Sequence, residues 1–168
     1  IKSIGGYKDA IATQSALFNA NYDYDNRYMG QVSYRMDESS CFGKNNRMGH
    51  FFTVSGGWNI QNETFFESLR ESVNQLKVRV SYGSLGNTPG AYYGHYPLYS
   101  SMMYNDEVAY FPSQMGNADL SWEKCYTTNI GIDARFFDRF GVTIDLYNKN
   151  TSDLLYYAPL PNISGYTG

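Results

Sequence analysis

The sequence predicts an all-β chain of about six antiparallel strands, joined as an up-and-down meander with the layout of a transmembrane barrel wall. Three observations predict it. Side-chain polarity alternates with period two, short connections alternate with long ones, and aromatic rings gather beside the short ones.

The elements follow in order. The first strand, 16–24, sets Phe18, Ala20, Tyr22 and Tyr24 between Asn19, Asn21 and Asp23. Asp25-Asn26-Arg27 is a tight hairpin turn. The second strand, 28–37, alternates Tyr28, Gly30, Val32, Tyr34 and Met36 with Gln31, Ser33, Arg35 and Asp37. A long connection leads to the third, 50–60, where Phe52, Val54, Gly56 and Trp58 share a face. The next connection, Gln61 to Gln75, lies on the short side and reads as one short helix. Thr64 and Glu67 form a capping box there, and Phe65, Phe66, Leu69 and Val73 share a face. The fourth strand, 76–85, alternates Leu76, Val78, Val80 and Tyr82 with Lys77, Arg79 and Ser81. The longest connection, 86–121, precedes the fifth strand, 122–137, with Tyr126, Thr128, Ile130, Ile132, Ala134 and Phe136 on one face. Asp138-Arg139 turns tightly into the sixth, 140–150, with Phe140, Val142, Ile144 and Leu146 alternating with Gly141, Thr143 and Asp145. Tight turns at one end and long loops at the other are the layout of an outer-membrane barrel.

Tyr22, Tyr24, Tyr28, Trp58, Phe136 and Phe140 all fall on the apolar face beside the short connections. Rings at one height form a membrane girdle, because an amphipathic ring prefers the headgroup level. A soluble aromatic-rich β-sandwich that binds carbohydrate, or a structural or adhesive surface protein, would alternate in the same way.

Composition removes other classes. Of 168 residues only 17% are charged, while 17 Tyr, 10 Phe and 2 Trp carry the apolar mass, so the chain is not disordered. A net charge of −3 gives no footprint for nucleic acid. The longest largely apolar run, Leu154 to Leu160, contains a proline and is too short for a membrane helix. No signal peptide is read at Ile1. Cys41 and Cys125 form neither a disulfide framework nor a zinc site. The meander separates them by three strand spacings, about 14 Å, where a disulfide needs about 7 Å or less. They are expected to be free.

Order then carries a resemblance. Phe42-Gly-Lys-Asn-Asn-Arg47, Val54-Ser-Gly-Gly-Trp58, Ser81-Tyr-Gly-Ser-Leu-Gly-Asn87, Asn117-Ala-Asp-Leu-Ser-Trp-Glu-Lys124 and Thr128-Asn-Ile-Gly-Ile-Asp133 follow one another. Asp145-Leu-Tyr-Asn-Lys149, Asp153-Leu-Leu155 and Pro159-Leu-Pro161 before Ser164-Gly165 complete the run. This succession closely resembles the SusC/RagA family of TonB-dependent outer-membrane transporters of Bacteroidetes. The resemblance implies a barrel of roughly 22 strands closed by a plug domain. It also implies a SusD-like surface lipoprotein as partner, energy from TonB, and import of oligosaccharides or oligopeptides. On that basis residues 1–168 are expected to be a fragment of the barrel domain in the outer membrane, without plug domain, TonB box or C-terminal strand. A slice with two open edges leaves backbone groups unsatisfied in lipid, so the closed barrel is the functional unit.

Candidate contacts fall into two groups. Tyr92, Tyr93, Tyr96, Tyr99, Tyr104, Tyr110 and Phe111 crowd one stretch of the long connection. Such rings pack a loop on itself, anchor a partner, or stack on sugars. Arg35, Asp37, Lys77, Arg79, Glu123, Asp133 and Asp145 point to the lumen by parity, lining a path, pairing with plug residues or forming a cross-strand charge ladder. No catalytic, cofactor-binding or metal-ligating residue is assigned. His50 and His95 lack carboxylates at ligand spacing, no nucleophile elbow occurs, and adjacent Asp106 and Glu107 read as solvated loop acids.

Overall fold

A computed structural model describes residues 6, 8–90, 92–156, 158 and 160–166; Pro159 of the proline motif lies outside them. The described residues fold into eight strands: β1 (Thr13–Tyr24), β2 (Tyr28–Ser39), β3 (Met48–Asn59), β4 (Val73–Asn87), β5 (Leu98–Tyr104), β6 (Glu107–Gln114), β7 (Glu123–Phe136) and β8 (Phe140–Ser152). Six form one antiparallel sheet in the order β1-β2-β3-β4-β7-β8, each beside its predecessor in the meander. Among the described residues no second sheet stacks on it as in a sandwich.

Apart from Val73↔Phe136 beyond a bulge in β4, every register in the sheet joins even to even and odd to odd. One row runs Tyr22, Gly30, Gly56, Val80, Ile130, Leu146, and the next Tyr24, Tyr28, Trp58, Val78, Ile132, Ile144. The one irregularity, at Val73/Gln75 in β4, lies at the short-turn end below the shared rows. The predicted alternation therefore merges into one continuous apolar face. Val54 is 47% exposed and Leu146 69%, because no side chain among the described residues covers them. In water such a patch would drive association; against hydrocarbon it is satisfied.

Two expectations change. The 86–121 connection is not one loop, since β5 and β6 form a separate two-stranded hairpin within it. Asn105 and Asp106 make its turn with φ of 51° and 65°. Both faces of this hairpin carry apolar residues, so period two gave no signal, and Pro112 argued against a strand. The short-side helix is two 3₁₀ turns, Ile60–Asn62 and Thr64–Leu69. The capping box does not form, because Glu63 occupies the cap position and no side chain bonds the turn. Phe66 is buried, while Phe65 and Leu69 face outward, so the expected shared face is split.

The only buried hydrophobic cluster among the described residues sits at the long-loop end. Phe42, Phe51 and Trp122 pack together, with ring centroids 4.9 Å apart for Phe42–Trp122 and 5.5 Å for Phe51–Trp122. The Trp122 indole donates to the Arg47 carbonyl at 3.0 Å. Gly86 permits this, since a Cβ there would collide with the Phe51 ring. The cluster ties the β2–β3 loop to the entry of β7. Cys41 is buried beside it and Cys125 lies in β7; both are free thiols.

Phe51→Ala should cost about 3–5 kcal/mol locally and loosen the long loop. In intact cells, external protease should then cut faster between residues 88 and 121 while the barrel stays folded. Unchanged cleavage would contradict the anchoring role of the cluster.

Candidate functional site: two faces and two rims of a wall

The short-turn rim is built on left-handed turn residues. Asp25 and Asn26 have φ of 53° and 52°, and the Arg27 N–H closes the turn on the Tyr24 carbonyl at 2.9 Å. Positive φ at both central positions matches the twist of the strands, and Asp and Asn tolerate it. The turn sets Tyr24 opposite Tyr28, whose other neighbour is Trp58. The three rings stack, with centroids 6.5 Å apart for Tyr24–Tyr28 and 6.2 Å for Tyr28–Trp58. Phe136 and Phe140 pair across the other tight turn, four positions further along β7 than Ile132 of the Trp58 row. That offset, about 13 Å along the strand, follows from strand stagger in a tilted barrel wall.

A residue missed in the sequence holds these rings. Glu63 is buried between the two 3₁₀ turns; its Oε1 accepts from the Tyr28 hydroxyl at 2.7 Å and the Trp58 indole at 3.0 Å. Arg27 approaches its Oε2 at 3.8 Å. The Tyr28 and Trp58 hydrogen bonds, with Arg27 adding, hold the Glu63 carboxyl below its usual range against the opposing effect of burial. Around it, the Asn59 and Asn62 amides both donate to the Asn26 carbonyl, and Asn74 accepts from the Asp138 N–H. The rim is thus one polar collar beneath an aromatic row.

The odd face carries a charge ladder. Arg79 donates to Asp133 through Nε at 2.7 Å and Nη2 at 3.1 Å, and reaches Asp145 at 3.2 Å. Thr143 donates to Asp133 at 3.1 Å. Arg79 crosses Gly131 to do this; a Cβ there would lie 2.5 Å from Asp145 Oδ1 and 2.8 Å from Arg79 Nη2. Arg35 pairs with buried Asp37 at 2.7 Å and lies over the Phe51 ring at 5.9 Å. Glu123 accepts from the Leu155 N–H at 3.3 Å, tying the segment after β8 to the wall. Lys77, opposite Asp133 in register, has no carboxylate within 4 Å among the described residues.

The loop rings stay open. Tyr92, Tyr93, Tyr96, Tyr99, Tyr104, Tyr110 and Phe111 are all exposed, Tyr110 to 76%. Tyr92–Tyr93 and His95–Tyr96 are the ring contacts among them, so most of this aromatic surface is not spent on packing the loop. His95 Nδ1 lies 3.0 Å from the Cys41 carbonyl and joins the loop to the buried cluster. No group of His, Cys, Asp and Glu among the described residues has metal-binding geometry.

One apolar and one charged face on a hairpin-by-hairpin sheet, with an aromatic row above a polar rim, define a segment of outer-membrane β-barrel. The chain belongs to the TonB-dependent receptor-like β-barrel family, whose profile matches residues 4–168. It is similar to TonB-dependent receptor P39 of Formosa agariphila, 39% identical over 93% of this chain and 15% of that protein. It is similar to TonB-dependent receptor SusC of Bacteroides thetaiotaomicron, 33% identical over 90% of this chain and 16% of that protein. Among solved structures, the RagAB peptide transporter superposes with a TM-score of 0.86 at 35% identity, covering 94% of this chain and 18% of that one. The chain therefore spans about 15 to 16% of the length of these curated relatives. It is a wall segment of a SusC/RagA-like barrel in the outer membrane.

The collar predicts a pH response. A carboxylate with a depressed folded pKa stabilises above the unfolded value and loses that contribution as pH falls through the folded one. The emission attributable to Trp58, taken as the difference from Trp58→Phe, should be constant from neutral pH down to the ordinary glutamate value of 4.5 and shift below it. Glu63→Gln should remove the acid shift. A shift that persists in Glu63→Gln would show that another group controls the indole.

Proposed function

We propose that this chain forms part of the lumen wall of a transporter importing oligosaccharides or oligopeptides, driven by TonB and capped by a SusD-like surface lipoprotein. One observation carries the reading: a single six-stranded meander with a continuous exposed apolar face and a charged, hydrogen-bonded opposite face. That asymmetry suits a sheet with lipid on one side and an aqueous passage on the other. Membership in the TonB-dependent receptor-like family, and likeness to SusC and to the RagAB peptide transporter, support it.

In this reading Tyr22, Tyr24, Tyr28, Trp58, Phe136 and Phe140 sit at the periplasmic headgroup level of outer-membrane lipid. Arg35, Asp37, Lys77, Arg79, Glu123, Asp133 and Asp145 face the passage. The Arg79–Asp133–Asp145 group stiffens the wall, because one guanidinium ties carboxylates on two neighbouring strands together. The exposed tyrosines of the 86–121 segment meet the lipoprotein or the cargo from the cell surface. The chain has no catalytic role.

Deleting the full-length gene from its host should abolish growth on at least one oligosaccharide or oligopeptide mixture and leave growth on the monomers intact. Removing the TonB energy supply should reproduce the loss. Undiminished growth of the deletion strain on every oligomer offered contradicts the transport reading.

A further inference from the structure

The β5–β6 hairpin stands apart from the barrel wall, and among the described residues no third strand joins it. Its base is held where the Gln114 amide donates to the Tyr93 and Tyr96 carbonyls at 2.9 and 3.1 Å. Beyond that base Tyr99, Met103, Tyr104, Val108 and Tyr110 are each more than half exposed, on both of its faces. A lone two-stranded hairpin is marginal in water; a third strand is what ordinarily makes such a unit stable.

Its two edges are not alike. The two-residue turn has positive φ at Asn105 and Asp106, so Tyr104 and Glu107 are the hydrogen-bonded pair that closes it. Alternation then aims the backbone groups of Met103, Ser101 and Tyr99 away from β6, and those of Val108, Tyr110 and Pro112 away from β5. The outer row of β6 lacks a donor at Pro112, a device that keeps an edge from pairing further. The outer row of β5 is complete. Leu98–Tyr104 holds no proline and no charged residue, and its one irregularity lies at the base, between Leu98 and Tyr99. The outward N–H and C=O groups of Tyr99, Ser101 and Met103 have no backbone partner among the described residues. Such a row is matched by another extended polypeptide backbone, which is the chemistry of strand addition.

We propose that β5 is a docking edge, to which an extended segment of a protein partner resident on the barrel adds as a third strand. In the transport reading that partner is the surface lipoprotein. The proposal rests on that reading and deepens it, by naming the edge and the mode of contact. A resident partner fits the hairpin better than passing cargo does. An uncovered neutral edge invites aggregation, and exposed rings on both faces are kept from water only by a partner that stays in place.

The test uses the full-length barrel in detergent and a SusD-like lipoprotein that copurifies with it, each then purified alone. Amide exchange is read residue by residue with and without the lipoprotein. Tyr99, Ser101 and Met103 should exchange about tenfold more slowly in the complex, and Val108 and Tyr110 should slow less. Ser101→Pro deletes one outward donor, spares the ladder to β6, and should weaken lipoprotein binding about tenfold. Ser101→Ala should bind as wild type does. Slow exchange at Ser100, Met102 and Tyr104 in Ser101→Pro shows the hairpin intact; were it lost, exchange in the wild type would still decide. Several results would each overturn the docking edge. They are unchanged exchange at Tyr99, Ser101 and Met103 in the complex, and protection there in the barrel alone or only with a tryptic digest of casein. Wild-type affinity in Ser101→Pro, or an equal loss in Ser101→Ala, would do the same. A barrel from which no lipoprotein copurifies overturns the docking edge and the capped reading together, whereas the other failures leave the growth result of the deletion strain untouched.

Discussion

The backbone of a strand crossing hydrocarbon has no water to bond, and the fold depends on that constraint. Each amide and carbonyl must find its partner on the next strand. The simplest chain path that does so is hairpin after hairpin, which is the order β1-β2-β3-β4-β7-β8. Once the registers preserve parity from Gln75 onward in β4 and throughout the other pairs, one face of the sheet is fixed as apolar and the other as polar. A slip of one residue between β4 and β7 would put Ile132 on the same face as Arg79. The Arg79 bridge across Gly131 locks the β4–β7–β8 register from the charged face. The row Tyr24, Tyr28, Trp58 marks the β1–β2–β3 register on the apolar face.

The two rims solve different problems. At the short-turn end the backbone must turn within a few residues, so the chain uses positive-φ Asp and Asn and a carboxylate that orients two rings. At the long-loop end the chain must fold long segments without closing the passage. It packs Phe42, Phe51 and Trp122 into a small aromatic cluster and hangs the β5–β6 hairpin beyond it. That hairpin pairs only with itself and exposes Tyr104 and Tyr110, leaving its rings available above the wall.

The six-strand wall was legible because period two is a direct image of a sheet with unlike surroundings on its two faces. Val78-Arg79-Val80 states both faces in three residues. The tight turns were legible from Asp25-Asn26 and Asp138, residues that tolerate positive φ. The β5–β6 hairpin was not, because Met102, Met103, Tyr104 and Val108 put apolar groups on both sides and erase the alternation. Glu63 was hidden for another reason. The capping-box pattern at Thr64 and Glu67 drew attention one residue downstream, while the partners of Glu63 lie on β2 and β3. Phe51 sits at an odd position and was absent from the apolar set of its strand. Its burial comes from Trp122, a contact made across the sheet that no local pattern encodes. The ladder residues were found by parity, but parity could not say that Arg79 joins two acids while Lys77 joins none.

The central claim is that even-numbered positions meet lipid and odd-numbered positions meet water. Spin labels placed singly at residues 141 to 147 of β8 in the full-length protein, reconstituted in bilayers, test it most directly. Collisions with oxygen, which concentrates in hydrocarbon, should peak at positions 142, 144 and 146. Collisions with a water-soluble nickel complex should peak at 141, 143, 145 and 147. Uniform access along the strand, or nickel access at the even positions, would contradict the account.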